Sequence, residues 1–204
     1  FPIFFFLKYF KKKNIGKMIY NANENKEIKI YNEEFIINNI KRAKMIINNK
    51  KYKLKENIEN PKKPFKIEIK FLDNIIKLNS MFSNCKSLYS IHNFKNFNTK
   101  YLKTIFELFV WCNSLIYIDD ISNWNINNIN NICKIFCECS ELKELPDISE
   151  WNVSNVNNMS KLFHKCSKIK SLPDISKWDL SNVNDISRMF EECDSLEYFP
   201  DISK

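Results

Sequence analysis

The chain of 204 residues contains a single glycine, Gly16, and six prolines. Phosphate-cradling loops, dinucleotide-binding turns and nucleophile elbows all need glycine where the backbone turns sharply or a ligand comes close. One glycine cannot write any of them. Cofactor chemistry built on such loops is therefore excluded, and no cofactor is expected. No apolar run approaches the ~20 residues that a membrane-spanning helix requires, so no transmembrane segment is expected in this chain. The first seven apolar residues, Phe1 to Leu7, precede the lysines at 11 to 13, whereas a signal peptide carries its positive charge first. Residues 1–16 are set aside as an apolar and basic leader, read either as the tail of a longer upstream segment or as sequence preceding a start at Met18.

What is abundant is Asn, Lys and Ile, with 30, 30 and 29 copies. All three have A/T-rich codons, so spacing is more informative than composition. The net charge of +8 lies on one part of the chain: residues 1–64 carry 16 Lys/Arg against 6 Asp/Glu, and the remainder 16 against 18. The cations of the first part are scattered among Asn and Glu rather than interleaved with aromatics, which reads as a solvated basic surface. Nucleic acid is not an expected partner.

An internal repeat organises the rest. Cys85, Cys112, Cys139, Cys166 and Cys193 are each 27 residues apart, and three positions before each stands Phe82, Phe109, Phe136, Phe163 or Phe190. Apolar columns keep the same beat at Leu78, Ile105, Ile132, Met159 and Ile186 and at Leu88, Leu115, Leu142, Ile169 and Leu196. Phe97, Trp124, Trp151 and Trp178 form another. Within a unit, Val156, Met159, Leu162 and Phe163 follow helical spacing behind Ser154 and Asn155, which are suited to capping, and Lys168 to Leu172 reads as a short strand closed by Pro173 and Asp174. One such unit cannot bury its own apolar layer, so the units must stack.

The units beginning Leu145-Pro-Asp-Ile-Ser-Glu-Trp and Leu172-Pro-Asp-Ile-Ser-Lys-Trp, each continuing to the Phe-x-x-Cys of its column, resemble the BspA-type leucine-rich repeat, the bacterial surface protein 26-residue repeat. The resemblance covers about 72–204 and is cleanest toward the C-terminus; the first two units have Ile91-His-Asn-Phe and Ile118-Asp-Asp-Ile in place of Leu-Pro-Asp-Ile. It implies an α/β fold, a leucine-rich-repeat solenoid with a short parallel strand and a short helix per 27-residue unit, and a non-catalytic interaction or surface-adhesion role of the kind seen in bacteria and protists.

Residues 17–71 lack the period. Lys17 to Tyr20 and Glu27 to Tyr31 read as strands around a polar turn, Ala43 to Ile47 and Lys51 to Lys55 as a second hairpin, and Phe65 to Phe71 as a fifth strand. The expected organisation is a small N-terminal β cap over 17–71 and about five repeat units over 72–204. No cap is expected at the C-terminal end of the array, read either as a fragment or as an array that closes by end-to-end association.

Several residue types invite sharper chemistry. The cysteine column reads as buried free thiols, because disulfides along an odd-numbered column of identical positions would break the repeat. Cys133 and Cys137 lie off the column; with Cys139 and a histidine they could hold zinc, but no Cys-x-x-Cys knuckle is present, and the reading kept is two variable surface residues of one helix with no metal. Asp120, Asp147, Asp174 and Asp201, with Ser122, Ser149, Ser176 and Ser203, read as turn carboxylates. Asn152-Val-Ser and Asn158-Met-Ser are acceptor sequons of the kind expected by chance among 30 asparagines. His92 and His164 have no recurring Ser or Asp partner, so no catalytic residue is assigned.

The function expected is a non-catalytic protein–protein interaction or surface-adhesion module, with a purely structural repeat array or spacer as the alternative. The candidate ligand face consists of the variable positions between the strand anchors: Tyr89, Tyr117, Lys143, Glu144, Lys170, Glu197 and Tyr198. On a strand only half of each adjacent pair can face outward. Free thiols favour a cytoplasmic location, while the resemblance favours the cell surface.

Overall fold

The structure, a computed structural model, describes residues 14–21, 27–61, 65–199 and 201. Eight strands and one helix form in chain order: β1 (Ile15–Tyr20), β2 (Glu27–Lys29), α1 (Glu33–Asn39), β3 (Ala43–Ile47), β4 (Lys50–Tyr52), β5 (Asn57–Glu59), β6 (Phe65–Phe71), β7 (Leu88–His92) and β8 (Tyr117–Ile118). Six of the strands make one mixed sheet in the order β4-β3-β6-β1-β7-β8, and β2 pairs with β5 in a second, two-stranded sheet.

The expected hairpin of β3 and β4 forms. The first pairing differs: β1 lies between β6 and β7, both antiparallel, and β2 pairs with β5 instead. Met18 faces Ile67 on one side and Ile91 on the other. Alternation along β1 and β6 buries Met18, Tyr20, Ile67, Ile69 and Phe71 on one face. Gly16 belongs to this strand, and a Cβ there would lie 2.8 Å from both the Phe94 and the Phe97 ring. The lone glycine is thus where the first repeat presses its aromatics against the N-terminal strand. The leader residues 1–13, most of the turn around 22–26 and residues 62–64 lie outside the described residues.

The repeats do not build an α/β leucine-rich-repeat solenoid. Among the described residues the only α-helix is α1, which precedes the repeats, and only the first two units contribute strands, β7 and β8, which pair in parallel. The expected helix over Val156 to Phe163 does not form: Asn158 makes isolated bridges to Asn131 and Asp185, and turns begin at Ser160. The cause lies in the backbone. Ser80, Glu107, Lys134, Lys161 and Arg188 recur every 27 residues with φ of 54 to 56°, and Asn84, Trp111, Glu138, Lys165 and Glu192 with φ of 59 to 64°. Two left-handed residues four apart in each unit break any right-handed helix.

The reversals give these turns a different hydrogen-bond plan. Met81, Ser83 and Cys85 donate to the carbonyl three residues back, while Leu78, Ser80, Phe82 and Asn84 donate forward to Thr104, Phe106, Leu108 and Val110 of the next unit. The same alternation joins Ile132, Lys134, Phe136 and Glu138 to Asn158, Ser160, Leu162 and His164, and Met159, Lys161, Phe163 and Lys165 to Asp185, Ser187, Met189 and Glu191. Every second amide therefore reaches the neighbouring unit, as in a sheet, while the chain coils locally, as in a helix.

Side chains fill the space between units in the same register. Phe82, Phe109, Phe136, Phe163 and Phe190 stack face to face with centroids 5.6 to 5.9 Å apart, an offset aromatic column that adds to its area burial. The indoles of Trp124, Trp151 and Trp178 donate to Phe94 O, Ile121 O and Ile148 O of the preceding unit. The thiols of Cys112, Cys139, Cys166 and Cys193 donate to Phe82 O, Phe109 O, Phe136 O and Phe163 O at 3.0 to 3.3 Å. Strand pairing stops after β8 for a local reason. Asp119 N donates to Ile91 O, but Pro146 and Pro173 hold the equivalent positions and have no N–H to give.

The first unit has no predecessor to donate to its carbonyls, and the segment around α1 takes that role. Asn32 N donates to Met81 O and Asn39 Nδ2 to Lys77 O, while the Glu34 carboxylate accepts from Asn79 Nδ2 and Ser80 Oγ. The Tyr31 ring, 5.9 Å from that of Phe82, continues the aromatic column.

If the left-handed positions set the turn plan, their tolerance should follow backbone rather than side-chain preference. Lys161→Gly is expected to leave stability unchanged or raise it by up to ~1 kcal/mol, and Lys161→Val to lower it by about 1–2 kcal/mol. Chemical denaturation of the two variants checks this; a more stable Val variant would contradict it.

Candidate interaction surface

Because the units after the second form no strand between their anchors, the alternation expected of the candidate face does not apply. Both members of a pair stand exposed at Ile116 and Tyr117, Lys143 and Glu144, Lys170 and Ser171, and Glu197 and Tyr198. The exception is the first unit, where β7 is a true strand: Tyr89 is outward and Ser90 is 5% exposed. All seven candidates, Tyr89, Tyr117, Lys143, Glu144, Lys170, Glu197 and Tyr198, are thus solvent-facing, in two columns repeated at 27 residues. Tyr198, at 76%, is the most exposed of the large apolar side chains.

The best-ordered part of the face is at its N-terminal end. The Tyr117 ring lies 5.2 Å from that of His92, and its hydroxyl donates to Asp119 Oδ1 at 3.4 Å. Partial desolvation, then the negative Asp119 beside it, hold that phenol above its ordinary value. Asp119 also accepts from Asn93 N through its other oxygen, at 2.7 Å. Further along, Glu144, Leu145, Asp147, Ser171, Leu172 and Asp174 line a shallow depression of about 480 Å³.

The recurring Asp and Asn residues are turn-formers. Asp120 Oδ1 accepts from Ser122 N and Oγ, Asp147 from Ser149 N, and Asp174 from Ser176 N. Two more series do the same in each unit: Asn125, Asn152 and Asp179 accept from the amide two residues on, and so do Asn131, Asn158 and Asp185. Both sequon asparagines, Asn152 and Asn158, are occupied in this way. Ser203, the partner proposed for Asp201, lies outside the described residues.

Two sites of potential chemistry take a different form from that expected. His92 does have a serine partner, Ser90 Oγ at 2.9 Å from Nε2, on one face of β7, but that serine is buried. Cys133 and Cys137 are not surface residues of a helix. Cys137 is buried and, with His164, lines a cleft of about 260 Å³ that also holds Glu107 and Lys134. His164 Nδ1 lies 3.2 Å from Glu191 Oε2 without hydrogen-bond alignment. Cys139 turns inward to Phe109 O. Among the described residues no group of three or more His, Cys, Asp or Glu is placed to hold a metal ion, and no helix is long and apolar enough to cross a membrane.

All seven cysteines are free thiols. Burial pushes the column thiols up, Cys193 to about 11, and it does the same to Cys137, also to about 11. Thiolate chemistry at neutral pH is suppressed at such sites.

A family model described as "Mycoplasma protein of unknown function, DUF285" matches twice, over residues 62–143 and 112–203. The chain belongs to this family. The two overlapping matches extend from the segment just before β6 to the last unit, so the DUF285 region contains both columns of the candidate face. No curated protein and no solved structure matches the chain.

Two outcomes follow from these environments. A thiol reagent at pH 8 should label Cys133 first in the native protein, where it alone is half exposed, and all seven cysteines once denatured; fewer than six in denaturant without reductant would contradict free thiols. Hydrogen bonds from Ser122, Ser181 and Ser187 hold Asp120, Asp179 and Asp185 below the usual carboxylate value. Their stabilisation is complete above pH ~4 and is lost as pH falls through the lower native values. Urea unfolding between pH 5 and 2 should show this loss, with a shallower slope when all three are replaced by Asn; equal slopes would contradict it.

Proposed function

We propose that this DUF285 protein is a non-catalytic protein–protein interaction or surface-adhesion module, binding its partner through the columns at Tyr89, Lys143, Lys170 and Glu197 and at Tyr117, Glu144 and Tyr198. The observation that carries the reading is the exposure of both columns in register along the stack. A frame hydrogen-bonded from unit to unit holds side chains of varied type at one repeated position, which is how repeat proteins present extended binding surfaces. Tyrosine with mixed charge is the composition that interface centres favour. The resemblance of the units to BspA-type repeats adds weight to an adhesion role. The burial of Ser90 and the raised thiols support a non-catalytic reading.

The test is capture of a partner from native extract followed by its binding to the Tyr117→Ala/Tyr198→Ala variant. Two exposed tyrosines at an interface should together contribute at least tenfold in affinity, with the unfolding midpoint unchanged. Undiminished binding by the variant would remove this face from consideration, and failure to capture any partner would favour a spacer.

A further inference from the structure

A second groove, of about 710 Å³, shares no residue with the columns above and crosses four successive units. Its polar lining is Asn74, Tyr101, Asn127, Asn128, Asn130 and Asn155, with Lys103 as the only charged side chain. Asn74, Tyr101 and Asn128 occupy one position of the 27-residue repeat, and Lys103 and Asn130 another. Many asparagines of the array have a backbone duty: they accept a turn amide, as at Asn125, Asn131, Asn152 and Asn158, or donate to a neighbouring unit, as at Asn182 and, in the groove itself, Asn155. The side-chain amides of Asn74, Asn127, Asn128 and Asn130 have neither; among the described residues they make no hydrogen bond, and all four are exposed. Tyr101 stands among them, 46% exposed, with the Lys100 ammonium over one face of its ring at 5.5 Å from the centroid and the other face left to a ligand.

A primary amide offers two donors and an acceptor on adjacent atoms, and it is neutral. A row of such amides matches a ligand whose polar groups are each donor and acceptor at once, which describes vicinal hydroxyls. An exposed aromatic ring supplies the apolar plate on which the C–H face of a pyranose can rest. The two other linear polymers fit less well. Single-stranded nucleic acid needs a cationic track along its phosphates, and two lysines at one point of the groove, Lys103 and the Lys100 beside Tyr101, do not make one. An extended peptide repeats every ~6.6–6.8 Å for two residues, out of step with units whose phenyl rings stack 5.6 to 5.9 Å apart. We propose that this groove binds a neutral polysaccharide chain lying along the stack, with its hydroxyls on the free asparagine amides and one sugar ring on Tyr101. The site is independent of the tyrosine face.

The probes are cellohexaose, chitohexaose and maltohexaose, each titrated into the full chain by calorimetry, with a dT oligonucleotide as the anionic control. Saturable binding of at least one hexasaccharide is expected. Tyr101→Ala should weaken it about three- to tenfold, and Asn128→Ala with Asn130→Ala about tenfold. The thermal midpoints should stay within about a degree, because none of these side chains is buried or hydrogen-bonded and the exposed Lys100–Tyr101 contact contributes little, and Tyr117→Ala/Tyr198→Ala should bind the sugar as the unaltered chain does. Absence of binding by all three hexasaccharides at millimolar concentration would overturn the proposal. So would binding undiminished in the groove variants, or salt-sensitive binding of the oligonucleotide in preference to the sugars.

Discussion

Alternate amides in each repeat point out of their own unit and into the next, and the rest of the array follows from that constraint. A backbone that keeps every second N–H for itself and sends the others forward must reverse its handedness at fixed points, which is what the paired left-handed residues do. The reversal places Phe, Cys and Trp of one unit over those of the last, so the aromatic column, the thiol-to-carbonyl bonds and the indole-to-carbonyl bonds all fall at one spacing. Buried backbone groups cannot be left unpaired without penalty. The array therefore needs something at its first face, and Asn32, Asn39 and Glu34 supply it.

Charge then selects which unit sits on which. Glu107 and Lys134, Glu138 and Lys165, Lys165 and Glu192, Glu141 and Lys168, and Glu150 and Lys177 are all ion pairs between residues 27 apart. Exposed pairs of this kind contribute little stability individually. Their use is in register: slipping one unit along the stack would set Glu138 against Glu192 in place of the Lys165 that lies between them. The repeated apolar core is nearly the same in every unit and cannot by itself make that distinction, so the variable polar positions carry it.

The period, the inward columns and most of the strands were legible in the residues, since burial of Leu, Phe, Cys and Trp every 27 positions leaves a direct mark on the sequence. The local conformation was not, for a physical reason. Apolar steps of three, three and one suit a short helix and a chain of tight turns equally, and the residues that decide between them are Lys161 and Lys165, Glu138 and Trp111, none of which advertises a positive φ as glycine would. The expectation of one outward residue per pair failed with the strands that justified it. Helix α1 was signalled, by Asn32 as a cap and Glu33 and Glu34 in the first turn, but seven residues carry too little periodicity to stand out from the surrounding alternation.

Asparagine shows how one residue type can hold the frame and also face solvent. With almost no glycine in the chain, sharp turns rest on side chains that bond to nearby amides, and Asn and Asp are the residues whose geometry permits it. Three successive units each spend three positions in that way, at the ends of their turns. Of the asparagines that remain unbonded, Asn127, Asn128 and Asn130 gather with Asn74 on one groove, while Asn84, Asn157 and Asn184 face solvent outside it. A-rich codons can raise the number of asparagines, but they cannot sort them by backbone role. The sorting is only partly set by the repeat: the side chains that complete turns recur at three fixed places, whereas Asn128 and Asn155 share one place and only Asn155 bonds to the neighbouring unit.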